Sequence, residues 1–420
     1  VRALGSLPSL AVPTQDERSR FSQAHKALRT VAITGTNGKT TTTSMVASIV
    51  AASGQKSSHL TTLGCFVGET LLPSVPAAIE FLRTVEAAID AGVETFALEV
   101  TSKALRNGWA QQWPADVAVF TNLSRDHLDM HGSPEAYLAA KAQLFMHVRQ
   151  GAHCVLNAAD ANSALLAEAI PKHATTHYYN AEAGDETCSL SATSVASTRD
   201  GLRIQLQSSV LADALGGALR LPIVGDVHAS NALAAALAAH LAGFAPEAIV
   251  QGLAAFRGVD GRFEVVGSEP LTVVDYAHTP DGLRGTLNTA RGLVRGSGRL
   301  LLVFGCGGER DVGKRPLMAA VAHALADAVV VANDNPRREN PEAIAEQIRS
   351  GAKGPGASWS LCLDRPYAIR QVVQAAHPDD VVIIAGKGHE QVQEIDGTCI
   401  AMCDRELALA ALKSREHLES

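Results

Sequence analysis

One short stretch limits what this chain can fold into more than any other: Val31-Ala32-Ile33-Thr34-Gly35-Thr36-Asn37-Gly38-Lys39-Thr40-Thr41-Thr42. Val31 to Ile33 is an apolar run of the kind that makes a buried strand. A loop with two glycines follows, and Lys39 and Thr40 open a helical segment that runs to about Ala52. Strand, glycine loop and helix N-terminus in that order form a phosphate cradle. Backbone N–H groups converge on the anion and the helix dipole favours its charge. Lys39 is placed to reach the β- and γ-phosphates, and the Thr40 hydroxyl to ligate Mg2+. The common pattern has a further glycine five residues ahead of Gly38. Ile33 stands there, so the loop is a shortened variant. The strand before it and the helix after it make nucleotide binding the expectation.

The 420 residues predict two or three domains, and the 46% hydrophobic content supports large cores. A net charge of −7 argues against nonspecific nucleic-acid binding. The seven cysteines contain no CxxC pair, which disfavours a disulfide framework or a zinc site; they are expected to be small buried residues. No apolar stretch has the length of a membrane span, and no signal peptide is visible at Val1-Arg2-Ala3. The expectation is a soluble cytoplasmic protein without a nucleic-acid or membrane partner.

Residues 1–29 read as a loop-like lead segment with Pro8 and Pro13. From residue 30 strand and helix alternate, the mark of a parallel α/β sheet. Thr95 to Val100 reads as a buried strand with Glu99 near its end. Val117 to Leu123 is another, leading into Ser124-Arg125-Asp126-His127-Leu128-Asp129. Pro134 to Val148 reads as a helix. Ligands in such sheets sit at the carboxyl ends of strands, where Glu99, Asp126, His127 and the phosphate loop all fall. Residues 181–224 alternate like a β-rich insertion or flank. Ala229 to Leu241 and Pro246 to Phe256 are alanine-rich helices suited to core packing, and Gly258 to Arg262 reads as a hinge. Strands at Leu271 to Tyr276, Leu300 to Phe304, Ala328 to Ala332 and Val381 to Ala385 predict a second parallel sheet. The fold class is α/β: a central P-loop ATPase parallel-sheet domain, 30–258, and a C-terminal Rossmann-like domain, 259–420. A cleft between two such domains suits the joining of two substrates.

Further motifs follow in order: Glu99-Val100-Thr101-Ser102, Thr121-Asn122-Leu123-Ser124-Arg125-Asp126-His127-Leu128-Asp129, Ala139-Ala140-Lys141, Gly261-Arg262-Phe263-Glu264 and Asp275-Tyr276-Ala277-His278-Thr279-Pro280. Then come Phe304-Gly305-Cys306-Gly307-Gly308-Glu309-Arg310-Asp311, Gly313-Lys314-Arg315-Pro316, Asp334-Asn335-Pro336-Arg337 and Gly386-Lys387-Gly388-His389-Glu390. With the phosphate loop, these resemble the Mur ligases, ATP-dependent amide-forming enzymes of peptidoglycan synthesis. The later group resembles the UDP-N-acetylmuramoyl-tripeptide synthetase (MurE-type) branch. The likeness runs from about residue 30 to 410.

The resemblance implies that a substrate carboxylate attacks the ATP γ-phosphate to give an acyl phosphate and ADP, and that an amino acid amine then displaces phosphate. Such transition states carry much negative charge, so cations and oriented donors dominate catalysis. By resemblance, Gly35, Thr36, Asn37, Gly38, Lys39, Thr40 and Thr41 cradle the ATP phosphates. Thr40 and Glu99 hold one Mg2+ and His127 helps to hold a second. Lys39, Glu99, His127 and Lys141 form the catalytic set. Lys141 matches the family's carbamylated lysine, whose CO2-derived carbamate ligates Mg2+; its formation requires a deprotonated amine. Asn231 matches the adenine contact, Asp275 the ribose contact and Arg262 a phosphate contact on the hinge, with His278 framing the same pocket. Asp334-Asn335-Pro336-Arg337 matches the meso-diaminopimelate signature. Arg310 and Arg337 hold carboxylates, Arg337 bidentately, while the Gly386 carbonyl, Glu390 and Asn335 accept from the distal ammonium.

The chain also departs from the family. The family begins with a uridine-nucleotide-binding domain, and nothing ahead of the phosphate loop here forms one; a shortened chain and a natural absence both fit. A Thr-Thr-Gly-like acceptor loop is replaced by Leu72-Pro73-Ser74-Val75-Pro76, and Glu-Val-Ser-Ser-His by Glu99-Val100-Thr101-Ser102-Lys103. The arginine that faces the muramyl peptide is Trp109, and the asparagine of Gly-x-Phe-Asn is His228. The ATP and amino-acid sets are nearly intact, so a changed carboxylate acceptor is expected. Three readings follow: a ligase acting on UDP-MurNAc-L-Ala-D-Glu, an accessory ligase acting on a smaller carboxylate or peptide, and a nonenzymatic nucleotide-binding paralogue. A folate-type glutamate ligase is disfavoured by Asp334-Asn335-Pro336-Arg337.

Overall fold

A computed structural model describes residues 23–68, 70–72, 77–182 and 187–419. Among these, eleven strands form one sheet: β1 (Arg29–Thr34), β2 (Ser57–Thr61), β3 (Gly64–Val67), β4 (Thr70–Leu71), β5 (Thr95–Glu99), β6 (Ala115–Phe120), β7 (Val148–Asn157), β8 (Thr175–Asn180), β9 (Leu190–Thr198), β10 (Gly201–Leu206) and β11 (Ala218–Leu221). Their spatial order is β11-β10-β9-β8-β7-β6-β1-β5-β2-β3-β4. β1 is flanked by parallel neighbours, with Ile33 opposite Glu99 on β5 and Val119 on β6. The loops after β1, β5 and β6 therefore open at one edge, where ligands bind in such sheets.

β1 is apolar on both faces because both are covered. Val31 and Ile33 face a core shared with Met45 and Ile49 of α1 (Lys39–Ala52), whereas Ala32 faces Phe96, Phe120 and Leu144. Ser133 caps α2 (Pro134–Met146) by accepting from the Ala136 N–H at 3.2 Å, and proline stands in its first turn. α3 (Val227–Leu241) buries most of its alanines against α1 and the sheet, as expected of a core helix.

Residues 181–224 are not a separate insertion. β9 continues the large sheet parallel to β8, and β10 and β11 extend it antiparallel. The lead segment is also not wholly loop: residues 23–27 are helical. Ala24 and Leu28 are buried against the sheet, and His25 meets Trp113 edge-on at 4.9 Å; this burial anchors a turn that polar neighbours concealed. The remainder of the expected lead segment lies outside the described residues.

The second sheet holds β12 (Glu264–Ser268), β13 (Leu271–Asp275), β14 (Leu300–Phe304), β15 (Ala328–Val331), β16 (Ser358–Leu361) and β17 (Val381–Ala385) in the order β12-β13-β17-β14-β15-β16. All its pairs are parallel except β12 with β13. Leu300, Leu302 and Phe304 face one helical layer, Leu301 and Val303 the other. A buried bidentate pair, Arg365 to Asp404 at 2.8 and 2.7 Å, ties the last helix to the Ala385 carbonyl at the end of β17. A hairpin, β18 (Val392–Ile395) and β19 (Thr398–Ala401), stands outside this sheet.

Cys65, Cys154, Cys188 and Cys306 are buried, but Cys399 is exposed and Cys362 and Cys403 are half-buried. The expectation of seven buried cysteines fails for these three; Cys399 lies on β19, an exposed strand of the hairpin. No described helix is long and apolar enough to cross a membrane.

Candidate active site

The phosphate loop is pinned from behind. The Thr36 N–H donates to the Asn122 carbonyl at 2.8 Å and the Asn37 N–H to Asn122 Oδ1 at 2.9 Å, while the Thr121 hydroxyl donates to the Asn37 carbonyl at 2.6 Å. Gly38, at φ +84°, starts α1 without a side-chain cap. The first-turn N–H groups, which a helix cannot satisfy itself, are thus left for an anion. A Cβ at Gly38 would stand 2.2 Å from Asn231 Oδ1, so only glycine lets α3 close on the loop.

Glu99 ends β5 beside this loop. It accepts from the Thr40 hydroxyl at 2.7 Å and the Thr62 N–H at 3.2 Å, and lies 3.9 Å from Lys39 Nζ. Lys39 also donates to the Thr36 carbonyl at 2.8 Å. Burial holds its amine below the ordinary lysine value, partly offset by Glu99. From the hinge, Arg262 reaches the Thr40 hydroxyl at 3.3 Å with its guanidinium 4.2 Å over the Tyr276 ring. Its Nε is buried without a partner.

Lys141 comes from α2 to the same place. Its Nζ donates to the Gly35 carbonyl at 2.6 Å and lies 4.3 Å over the Tyr137 ring. Burial, then the charge on Lys39, drives its amine well below the lysine range, against the pull of Asp126 and Glu99. Asp126 is itself buried. Its Oδ2 lies 3.3 Å from His127 Nε2 and 3.5 Å from His278 Nε2, and its Oδ1 accepts the His127 N–H at 2.9 Å. Burial pushes this carboxyl up, but His278, His127 and Lys314 more than offset it, and the group stays well below the usual carboxylate range.

The hinge is packed tightly. Gly261 sits at φ +67°, and a Cβ there would lie 2.2 Å from the His389 N. Asp275, matched to a ribose contact, spends its carboxylate on the protein. Oδ2 accepts from the Phe263 N–H at 2.6 Å, and Oδ1 from the Ala277 N–H at 2.9 Å and the Thr286 hydroxyl at 2.8 Å. Burial raises its pKa despite these donors. His278 Nδ1 lies 2.9 Å from the Tyr276 carbonyl.

The amino-acid set gathers at the ends of β14, β15 and β17. A Cβ on Gly307 would lie 3.1 Å from Arg337 Nη1 and 3.7 Å from both Arg310 Cγ and Asp334 Oδ1, and one on Gly386 2.9 Å from Asp334 Oδ2. Arg310 is exposed. Arg337, at φ +53°, donates to the Gly308 carbonyl at 2.6 Å and pairs with Glu394 at 3.2 Å. Asn335 departs from expectation. Its Oδ1 already accepts from Lys387 Nζ and the Glu394 N–H, each at 2.9 Å, and its Nδ2 donates to Glu390 Oε2 at 2.8 Å. The cause is Lys387: fully buried, its ammonium must find acceptors inside. It takes Asn335 Oδ1, Glu390 Oε2 at 2.7 Å and the Val392 carbonyl at 2.9 Å.

Sequence reasoning put Asp126 at the ligand edge without naming its partners, and assigned no role to Tyr137, Lys387 or Glu394, or to the pair Arg125–Asp311 at 3.1 Å across the two sheet units. Asp126 and Lys387 stood inside quoted motifs; nothing in the sequence marked Glu394. Around the expected acceptor region, Trp109 is buried and meets Phe81 edge-on at 5.9 Å. Ser102 Oγ lies 3.0 Å from His131 Nε2. Residues 73–76 lie outside the described residues. His228 is buried with Nδ1 unpartnered, and its ring lies 6.3 Å from that of Phe263.

No group of three or more His, Cys, Asp or Glu side chains among the described residues is arranged to hold a metal. Thr40 and Glu99 do offer adjacent hard oxygens beside the phosphate cradle. That fits Mg2+, which takes one or two protein oxygens and completes its shell with water and phosphate.

Known proteins resemble this chain along most of its length. The Mur ligase middle domain profile matches residues 33–239, and the Mur ligase, glutamate ligase domain profile matches residues 261–388. The UDP-N-acetylmuramoyl-L-alanyl-D-glutamate–2,6-diaminopimelate ligase of Alkalilimnicola ehrlichii is 38% identical over 98% of this chain and 82% of its own length. The Synechococcus elongatus protein of the same name is 39% identical over 94% and 79%. A solved structure of a ligase so named superposes with a TM-score of 0.66 at 34% identity, covering 96% of this chain and 82% of the other. Mycobacterium tuberculosis folylpolyglutamate synthase has a TM-score of 0.68 at 20% identity, over 88% of this chain and 92% of its own, a likeness of fold alone.

Proposed function

The chain belongs to the Mur ligase family and is an ATP-dependent ligase of carboxylates and amines, and we propose that it adds meso-diaminopimelate to UDP-MurNAc-L-Ala-D-Glu in the cytoplasm. The observation that carries this reading is the convergence of Arg310, Arg337 and Asp334 on Gly307, with Glu390 beside them. In this reading a distal carboxylate would pair with Arg337 and a distal ammonium with Glu390.

In the first step a carboxylate oxygen of the acceptor attacks the γ-phosphorus, and the bond from that phosphorus to the β-phosphate oxygen breaks. Lys39, Arg262 and the first-turn N–H groups of α1 stabilise the charge that develops on the phosphate oxygens. Thr40 and Glu99 would hold one Mg2+ and His127 would help to hold a second, and these ions would supply further charge neutralisation. In the second step the amine nitrogen attacks the acyl carbon, phosphate departs and the nitrogen loses a proton. In this scheme residues 30–258 carry the phosphate loop, and residues 259–420 carry the amino-acid residues and lend Arg262 to the phosphates.

Carbamylation of Lys141 would start from the neutral amine: an N–C bond forms as one C–O π bond of CO2 opens, the nitrogen loses one proton, and a neutral group becomes an anion. Its burial and the neighbouring Lys39 both favour the neutral amine. Tyr137 and the Gly35 carbonyl fix its direction.

A second reading, a smaller carboxylate or peptide as acceptor, is favoured by Trp109, which puts an indole into the core where an arginine would face a muramyl peptide. The test is phosphate release with ATP, Mg2+ and meso-diaminopimelate, with and without UDP-MurNAc-L-Ala-D-Glu, with products identified by mass. A nucleotide-dependent tripeptide product supports the first reading. Turnover with simple carboxylates alone supports the second. Tight ATP binding without turnover on any acceptor overturns both.

A further inference from the structure

The hairpin β18–β19 is bound to the amino-acid site at several residues, and most closely at Arg337. Arg337 donates its backbone N–H to the Glu394 carbonyl at 3.0 Å and accepts from the Asp396 N–H at 2.7 Å, forming a one-residue parallel bridge to Ile395. The Glu394 N–H holds Asn335 Oδ1, and the Glu394 carboxylate lies 3.2 Å from Arg337 Nε. The hairpin thus sets both the backbone of Arg337 and the charge beside its guanidinium.

Arg337 has few donors left. Nη1 serves the Gly308 carbonyl and Nε serves Glu394, so the Nη1/Nη2 edge is what a ligand carboxylate can take. The charges gathered around Arg337 nearly cancel, with Arg310 and Asp334 both beside Gly307. Arg337 is balanced by Glu394, and Lys387 by Glu390 at 2.7 Å. A subsite without net charge suits a distal group that is itself zwitterionic. A distal carboxylate alone meets the added charge of Glu394, and a distal ammonium alone meets Arg337.

We propose that Glu394 is a specificity-determining residue: its carboxylate neutralises Arg337 so that the site selects an amino acid whose far end carries both a carboxylate and an ammonium. This rests on the proposed function, since it concerns the same amino-acid site. Glu394 acts through Arg337 and Asn335 and need not touch the substrate.

Glu394→Gln removes the charge and keeps the size and the backbone bonds. It makes the subsite one unit more positive. Three amines separate the effects: meso-diaminopimelate, 2-aminopimelate (distal carboxylate only) and lysine (distal ammonium only). The measurement is kcat/KM for each with saturating ATP and acceptor, in wild type and variant. One unit charge within about 6 Å, moderately screened, is worth about tenfold. The kcat/KM ratio of 2-aminopimelate to diaminopimelate is expected to rise about tenfold, and that of lysine to diaminopimelate not to rise. Ratios taken on one preparation do not depend on the folded fraction, so partial misfolding does not imitate the result. If all three amines lose efficiency together, or the 2-aminopimelate ratio is unchanged, Glu394 is only a structural pin and the inference is overturned. A wild-type enzyme that turns over none of the three overturns the proposed function, and the inference with it.

Discussion

Asp126 and His278 meet across the boundary between the two sheet units, with Oδ2 and Nε2 3.5 Å apart. Asp126 follows β6 of the first sheet and also holds His127; His278 follows β13 of the second. The contact joins the unit that carries the phosphate loop to the unit that carries the amino-acid residues.

Breaking that contact should slow the reaction more than it weakens ATP binding. Asp126→Asn takes their shared carboxylate from two imidazoles, and losing a hydrogen bond to a charged group costs about 2 kcal/mol. The expected kcat falls by about thirtyfold, with the ATP Kd changed by less than about threefold. Steady-state rates and calorimetry check it; an unchanged kcat means that the contact is incidental.

Lys141→Ala should abolish turnover and leave ATP binding intact. If the working form is a carbamate, acetate or another small carboxylate should restore part of the rate, because it can place an oxygen anion in the vacated space. Full activity in the variant excludes a role in the reaction.

Arg337→Ala should raise the KM for diaminopimelate at least about thirtyfold, in line with the loss of a charge-assisted bidentate contact. The ATP KM should stay within about twofold. Equal increases in both would mean that Arg337 is structural, holding the Gly308 carbonyl and the hairpin.

Gly261→Ala should disturb the hinge between Arg262 and the Gly386–Glu390 loop. The new Cβ would fall 2.2 Å from the His389 N at a backbone angle of +67°, and strain with displacement costs about 2 kcal/mol or more. A lowered Tm together with a kcat reduced about tenfold is expected. Wild-type values for both would show that the hinge and the Gly386–Glu390 loop need not touch.

His228 should make stability depend on pH. Burial lowers its pKa to about 4, against about 6.5 when unfolded. Between those values the unfolded chain binds a proton that the folded chain refuses, so stability falls as pH drops through the window. From pH 7 to 5 this amounts to about 2 kcal/mol. His228→Asn should show that much less pH dependence in urea unfolding. Parallel curves for variant and wild type would contradict it.

Local rules made much of this protein legible. A phosphate loop needs a strand, a glycine turn and a helix N-terminus contiguous in sequence, so residues 31–52 could be read directly. The hinge, the central strands and the order of the motifs were equally local. The strand end put Glu99 at the ligand edge, but its role and the position of Lys141 came only by resemblance, since the distances that bring them to the loop, 2.7 Å from Thr40 and 2.6 Å from the Gly35 carbonyl, join residues far apart in the chain. The residues left unread, Asp126 as a bridge, Lys387 as a buried hub and Glu394 as the counter-charge of Arg337, have no local signature. Their significance lies in burial and in partners supplied by other segments. Sequence by itself determined the elements and the chemistry each could offer, because backbone geometry and side-chain type act over a few residues. Only the tertiary structure decided which charges are desolvated and which are paired, because that depends on what the folded chain packs against them.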